Sequence, residues 1–185
     1  HPVWGFLAVQ GDSLLAGSSP MVLLAASTSY PTRKTVFTRF GEGSHALVVM
    51  NRHTGDVLWE KEAEFNFRHN AIAVAKDRLF CIDRMTPDRL AQLQRRGLKP
   101  DGQATLFALS LNDGRELWTK REAVFGTWLS YSVEHNVLLQ AGSKNRDRAA
   151  DETGSGMAVY TADNGQQLWH SDLAYGGPPL LHGDD

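Results

Sequence analysis

Seven histidines in this chain of 185 residues invite a search for acid–base or metal chemistry. None forms an H-x-x-x-H or H-E-x-x-H pair, and they are spread along the chain, so the sequence predicts no metal site and no catalytic residue. His69 is the most interesting of them because Arg68 and Asn70 flank it. Such a group can reach a ligand, or it can hold a strand in place by hydrogen bonds to the backbone.

The single cysteine, Cys81, limits the chemistry further. One thiol excludes an internal disulfide, a C-x-x-C redox pair and a multi-thiolate metal site. It lies in the apolar stretch "RLFCIDR", where a small buried side chain is expected.

Other classes of function also lack a signal. We find no glycine-rich phosphate loop and no G-x-S-x-G nucleophile motif. The 19 basic and 21 acidic residues give a net charge of −2, which does not indicate nucleic-acid binding. The longest apolar run, at residues 21–27, is far shorter than the roughly 20 residues of a membrane span.

A repeated motif indicates which elements position these side chains. A glycine is followed four residues later by a tryptophan, with a leucine just before the tryptophan, at Gly55/Trp59, Gly114/Trp118 and Gly165/Trp169. The glycines are 59 (114 − 55) and 51 (165 − 114) residues apart. Each follows an alternating apolar run and sits in a turn typical of a β-hairpin.

Each unit contains four short strand-like runs, which predicts an all-β protein built as a β-propeller of four-stranded antiparallel blades. We expect about three blades in a partial ring, at about 1–62, 66–122 and 127–173, with a further blade starting at 176–185. A large indole on the outer strand can bridge to the next blade and fix the spacing. Because both faces of a blade are buried, we expect Leu58 and Trp59 both to lie in the core.

The three motifs resemble the tryptophan-docking repeat of the PQQ-like, or quinoprotein-type, β-propellers, which reads roughly A-x-D-x-x-T-G-x-x-x-W. The first copy matches at Val49, Thr54, Gly55 and Trp59 and has Asn51 at the aspartate position. At the aspartate position the other two copies carry Ser110 and Thr161. The resemblance implies a periplasmic or secreted protein and specifies fold more closely than chemistry.

Three insertions between the second and third strands, at roughly 19–44, 84–103 and 143–156, are expected on one face together with the linkers between blades. We call this face, with those linkers, the loop face. The candidate ligand-binding residues on it are Arg68, His69, Asn70, Trp128 and Tyr175. In the middle insertion, Thr86 and Pro87 can begin a short helix that Gly97 ends, with Leu90, Leu93 and Leu98 on one side.

These observations predict a non-catalytic binding or scaffolding module, expected to be part of a longer PQQ-like repeat protein. Its expected partners are a protein or peptide on the loop face and further blades, from the same chain or another copy, that complete the ring. The alternative is part of a PQQ-dependent dehydrogenase, for which the resemblance implies PQQ and calcium over the channel of a closed ring. Many such enzymes have a vicinal cysteine pair, which one cysteine cannot supply.

Overall fold

Within residues 4–20, 43–85, 87–142 and 153–181, which the computed structural model describes, the chain forms eleven β-strands and one helix. The first strands are β1 (Trp4–Gln10), β2 (Ser13–Pro20), β3 (Gly43–Asn51) and the long β4 (Val57–Val74). They are followed by β5 (Arg78–Asp83), α1 (Pro87–Arg95), β6 (Thr105–Ser110) and β7 (Glu116–Lys120). The last four strands are β8 (Trp128–Ser132), β9 (Val137–Ala141), β10 (Ser155–Thr161) and β11 (Gln167–Ala174).

Neighbouring strands pair antiparallel in chain order, which makes a seven-stranded sheet of β1 to β7 and a four-stranded sheet of β8 to β11. The first sheet contains two blades because β4 changes partners along its length. Residues 57–62 pair with β3, whereas residues 72–74 pair with β5. Blade 1 is therefore β1 to the first half of β4, blade 2 runs from the second half of β4 to β7, and blade 3 is β8 to β11.

The motif glycines occupy the turns between the third and fourth strands. Gly55, Gly114 and Gly165 have φ angles of +79°, +71° and +70°, in the left-handed region that side chains disfavour. In each turn the glycine N–H donates to the carbonyl four residues earlier, at 2.8, 2.9 and 3.0 Å. The turn role predicted for these glycines is confirmed.

The core consists of two layers, each lying between two blades. One layer includes Leu47, Leu79 and Cys81, and the other includes Phe80 and Ile82. Alternate residues of β5 thus enter different layers, so both faces of this strand are buried. Cys81 is fully buried, as predicted, and burial raises the pKa of its thiol.

The expectation that Leu58 lies in the core is wrong. Leu58, Leu117 and Leu168 are all exposed, although each precedes a docking tryptophan. In all three blades the pairing register of the outer strand shifts at this leucine, which leaves it without a partner residue opposite. It is the extra residue of a β-bulge, so it projects at the rim while the tryptophan faces the neighbouring blade.

The helix predicted in the middle insertion is present as α1, and it ends before Gly97, which has a φ of +76°. Leu90 and Leu93 are partly buried, but Leu98 is exposed because it follows the left-handed turn that ends the helix. Thr86 and most of the first and third insertions lie outside the described residues. No helix in the described part of the chain is long and apolar enough to cross a membrane.

Candidate functional site

Trp59 of blade 1 docks on the turn of blade 2. Its Nε1–H donates to the backbone carbonyl of Leu111 at 2.8 Å, and its ring covers Gly114. A Cβ atom added to Gly114 would lie 2.7 Å from Trp59 Cδ2. The glycine is therefore required twice, by the positive φ of the turn and by the close approach of the indole.

Trp118 of blade 2 repeats this contact with blade 3. Its Nε1–H donates to the carbonyl of Ala162 at 2.9 Å, and a Cβ atom on Gly165 would lie 2.8 Å from Trp118 Cε3. In both cases the accepting carbonyl lies three residues before the glycine. The predicted bridging role of the indole thus has a defined geometry: one ring face on a glycine and one hydrogen bond to a carbonyl.

Ion pairs cross the same two boundaries between blades. Lys61 Nζ lies 2.7 Å from Glu116 Oε1 and 4.7 Å from the centre of the Phe107 ring. Arg78 Nη1 lies 2.7 Å from Asp163 Oδ1. These partly exposed pairs add modestly to the packing of the indoles.

On the loop face, the residues Arg68-His69-Asn70 lie within β4 where it passes from blade 1 to blade 2. His69 Nε2 and Ser44 Oγ are hydrogen-bonded at 2.8 Å, so His69 contacts a side chain from the start of β3. Burial, assisted by the charge of Arg68, lowers the pKa of His69 to about 4, which keeps the ring neutral at pH 7. Arg68 is 1% exposed and Ser44 is fully buried.

A neutral histidine beside a serine is the beginning of a nucleophile–base pair. Such a pair needs a serine oxygen that a substrate can reach, and the burial of Ser44 prevents this. The contact instead joins β3 to the passage of β4 between blades, which is a structural role.

Two buried polar side chains that the sequence analysis did not single out hold the linkers between blades. The Asp83 carboxylate accepts three backbone N–H groups from residues 64–66, at 2.6, 3.0 and 2.7 Å. The Gln140 side-chain oxygen accepts the N–H groups of Phe125 and Gly126 at 3.0 Å each, while its amide donates to the Tyr160 hydroxyl at 2.7 Å. The available signal was a polar residue within or ending an apolar strand.

Trp128 and Tyr175 lie near the end of β9. Trp128 begins β8 and pairs with Ala141. The Tyr175 hydroxyl accepts the N–H of Gly142 at 2.7 Å and donates to the carbonyl of Gly156 at 2.8 Å, so it joins the two sides of the third insertion. The predicted site residues thus fall into two groups, Arg68 to Asn70 on β4 and Trp128 with Tyr175 beside β9, and ligand binding by them stays a prediction.

The donors needed for a metal ion do not gather in the described ranges. Among these residues, no three His, Cys, Asp or Glu side chains come together in a way that could hold an ion. Calcium prefers six to eight oxygen ligands. The residues that the structure describes therefore do not fit the calcium-bound quinone that the dehydrogenase alternative requires.

Comparison with solved structures identifies the fold. The computationally designed Ika8 protein matches with a TM-score of 0.56 at 13% identity, over 98% of this chain and 40% of that one. BamB from Moraxella catarrhalis matches with a TM-score of 0.51 at 12% identity, over 92% of this chain and 37% of that one. The quinohemoprotein alcohol dehydrogenase ADHIIG from Pseudomonas putida HK5 matches with a TM-score of 0.51 at 13% identity, over 92% of this chain and 26% of that one.

At these identities the likeness shows the fold alone, and the predicted all-β propeller, as a partial ring, is confirmed. The chain spans two fifths or less of the length of each of these structures. No curated protein matches the chain in sequence.

A family model described as outer membrane protein assembly factor BamB matches residues 3–178, nearly the whole chain. The resemblance drawn from the glycine–tryptophan motifs is confirmed by this match. The chain belongs to this family of PQQ-like repeat β-propellers.

Proposed function

We propose that this chain is a non-catalytic binding and scaffolding part of a PQQ-like β-propeller, with a protein or peptide partner on the loop face. The observation that carries the proposal is the use made of the polar groups there. Asp83, Gln140 and Tyr175 hydrogen-bond to the backbone and hold the linkers and an insertion in place. The Ser44–His69 contact is likewise buried rather than open to a substrate.

Rigid linkers under variable insertions favour recognition of a partner, because binding residues are commonly carried by loops on a fixed scaffold. A preorganised surface also loses less conformational entropy on binding. The family description, an outer membrane assembly factor, supports protein partners and a periplasmic or secreted location for this chain.

Site-specific photo-crosslinking tests the partner. A crosslinking amino acid replaces Glu122, an exposed residue of the linker between blades 2 and 3. The matched control replaces Asp113, an exposed residue of a hairpin at the opposite end of blade 2. We expect a crosslink to one defined protein from position 122 and none from position 113. Equal crosslinking from both positions would contradict a site on the loop face.

The alternative, part of a PQQ-dependent dehydrogenase, is tested by thermal unfolding with and without PQQ and calcium. A ligand that binds the folded state raises the melting temperature by mass action. We expect no rise at saturating ligand. A clear rise that is lost in the His69→Ala variant would favour the dehydrogenase and place its site at β4.

A further inference from the structure

Blade 3 carries a docking tryptophan that remains uncovered. Trp169 is 46% exposed, whereas Trp59, at the same position of blade 1, is 9% exposed. Both residues follow the motif glycine by four positions, and both pair with the equivalent residue of the third strand, Val159 or Val49. The exposure of Trp169 therefore reflects a missing neighbour and not a different local structure.

Blade 1 carries the complementary half of the contact. Gly55 has the φ of a docking glycine, but a Cβ atom there would meet nothing within 4 Å, in contrast to Gly114. The backbone of its turn is already in the docking form. The N–H of Arg52 donates to Asp12 as that of Leu111 donates to Asp77, with both distances 2.9 Å, which leaves the Arg52 carbonyl three residues before the glycine.

The face of blade 1 that surrounds Gly55 is apolar. Val57 pairs with Met50, on the strand face opposite to Val49 and Trp59, and it is more than half exposed. The corresponding residue of blade 2, Glu116, is contacted there by Lys61 of the preceding blade. On β1, Leu7 and Val9 are also more than half exposed, while the alternate residues Phe6 and Ala8 pack against the core. We define Leu7, Val9, Gly55 and Val57 as the receiving face.

We propose that the receiving face of one molecule binds the Trp169 face of a second copy of this chain, in a head-to-tail arrangement. The indole of Trp169 lies on Gly55 of the second copy, and its Nε1–H donates to the Arg52 carbonyl there. A second copy is the occupant because the chain itself carries both halves of a contact that it already makes twice internally. Such a heterologous interface closes into a ring or continues as an open chain of copies.

Sedimentation velocity over a range of concentrations tests this inference on the purified chain. We expect concentration-dependent association of the unmodified protein. Trp169→Ala removes the donated half, and Gly55→Ala blocks the receiving half, because the equivalent Cβ at Gly114 would lie 2.7 Å from the docked ring. Each change should raise the dissociation constant at least ~10-fold, as expected for a central aromatic anchor. The matched control, Leu168→Ala, alters an exposed residue next to Trp169 and should leave association unchanged.

Mixing separates a docking defect from misfolding. Trp169→Ala retains a free Gly55 turn, and Gly55→Ala retains a free Trp169, so the two variants together restore one interface. We expect each to be monomeric alone and a 1:1 dimer to form on mixing. An unmodified chain that stays monomeric, variants that fail to form the mixed dimer, or an equal loss in the Leu168→Ala control would each overturn the proposal.

Discussion

Gly114→Ala should destabilise the protein far more than a single added methyl group suggests. Alanine in the left-handed conformation, here at a φ of +71°, costs about 1–2 kcal/mol. The new Cβ would also lie 2.7 Å from Trp59 Cδ2 and 2.8 Å from Cε3, so the indole must shift. Overpacking of this kind costs about 1–3 kcal/mol. We therefore expect the free energy of unfolding to fall by about 2–5 kcal/mol in urea denaturation.

Gly55→Ala is the matched control because it has a similar φ of +79° and nothing within 4 Å of the added Cβ. It should cost only the backbone contribution of about 1–2 kcal/mol. Both variants are compared at a concentration where the chain is monomeric. Equal losses would refute the reasoning, because the glycine would then serve the turn alone. A double variant with Trp59→Ala should remove the excess cost of Gly114→Ala, since the clashing ring is gone.

Three further predictions concern buried groups. His69 has a folded-state pKa lowered from 6.5 to about 4, so the stability it contributes is present above pH 6.5 and is lost as the pH falls towards 4; urea denaturation of His69→Gln should show a weaker dependence over this range. Asp83→Asn leaves three N–H groups of residues 64–66 sharing one neutral oxygen, and should lower the free energy of unfolding by about 1–3 kcal/mol, against a near-zero change for exposed Asp56→Asn. Cys81 is fully buried and its thiol pKa is raised, so a thiol reagent should label it only on unfolding, and fast labelling of the native protein would contradict its burial.

The sequence predicts the blades well because their signals are local. Alternation marks the strands, and the glycine–tryptophan step marks the turns, within ten residues of each other. The double requirement on Gly114 is not visible in this way. Its second cause is Trp59, 55 residues earlier (114 − 59), which reaches it only once two blades are stacked.

The loop-face groups were harder to predict because each depends on a partner from another element. His69 contacts Ser44 from 25 residues away, and Asp83 accepts N–H groups from 17 to 19 residues away. The exposure of Leu58 was missed for a different reason. Alternation assigns each strand residue to a face, and a bulge adds one residue that the alternation does not count.

The docking contact also bears on how such chains change length during evolution. Every blade here carries a tryptophan that reaches forward and a glycine that receives from behind, and the geometry of the two internal contacts is the same. A blade duplicated in tandem would therefore meet a compatible surface on both sides without any compensating substitution. Losing the tryptophan of one blade, in contrast, removes a constraint from the glycine of the next. Substitutions at these two positions should therefore be correlated between adjacent repeats rather than within one.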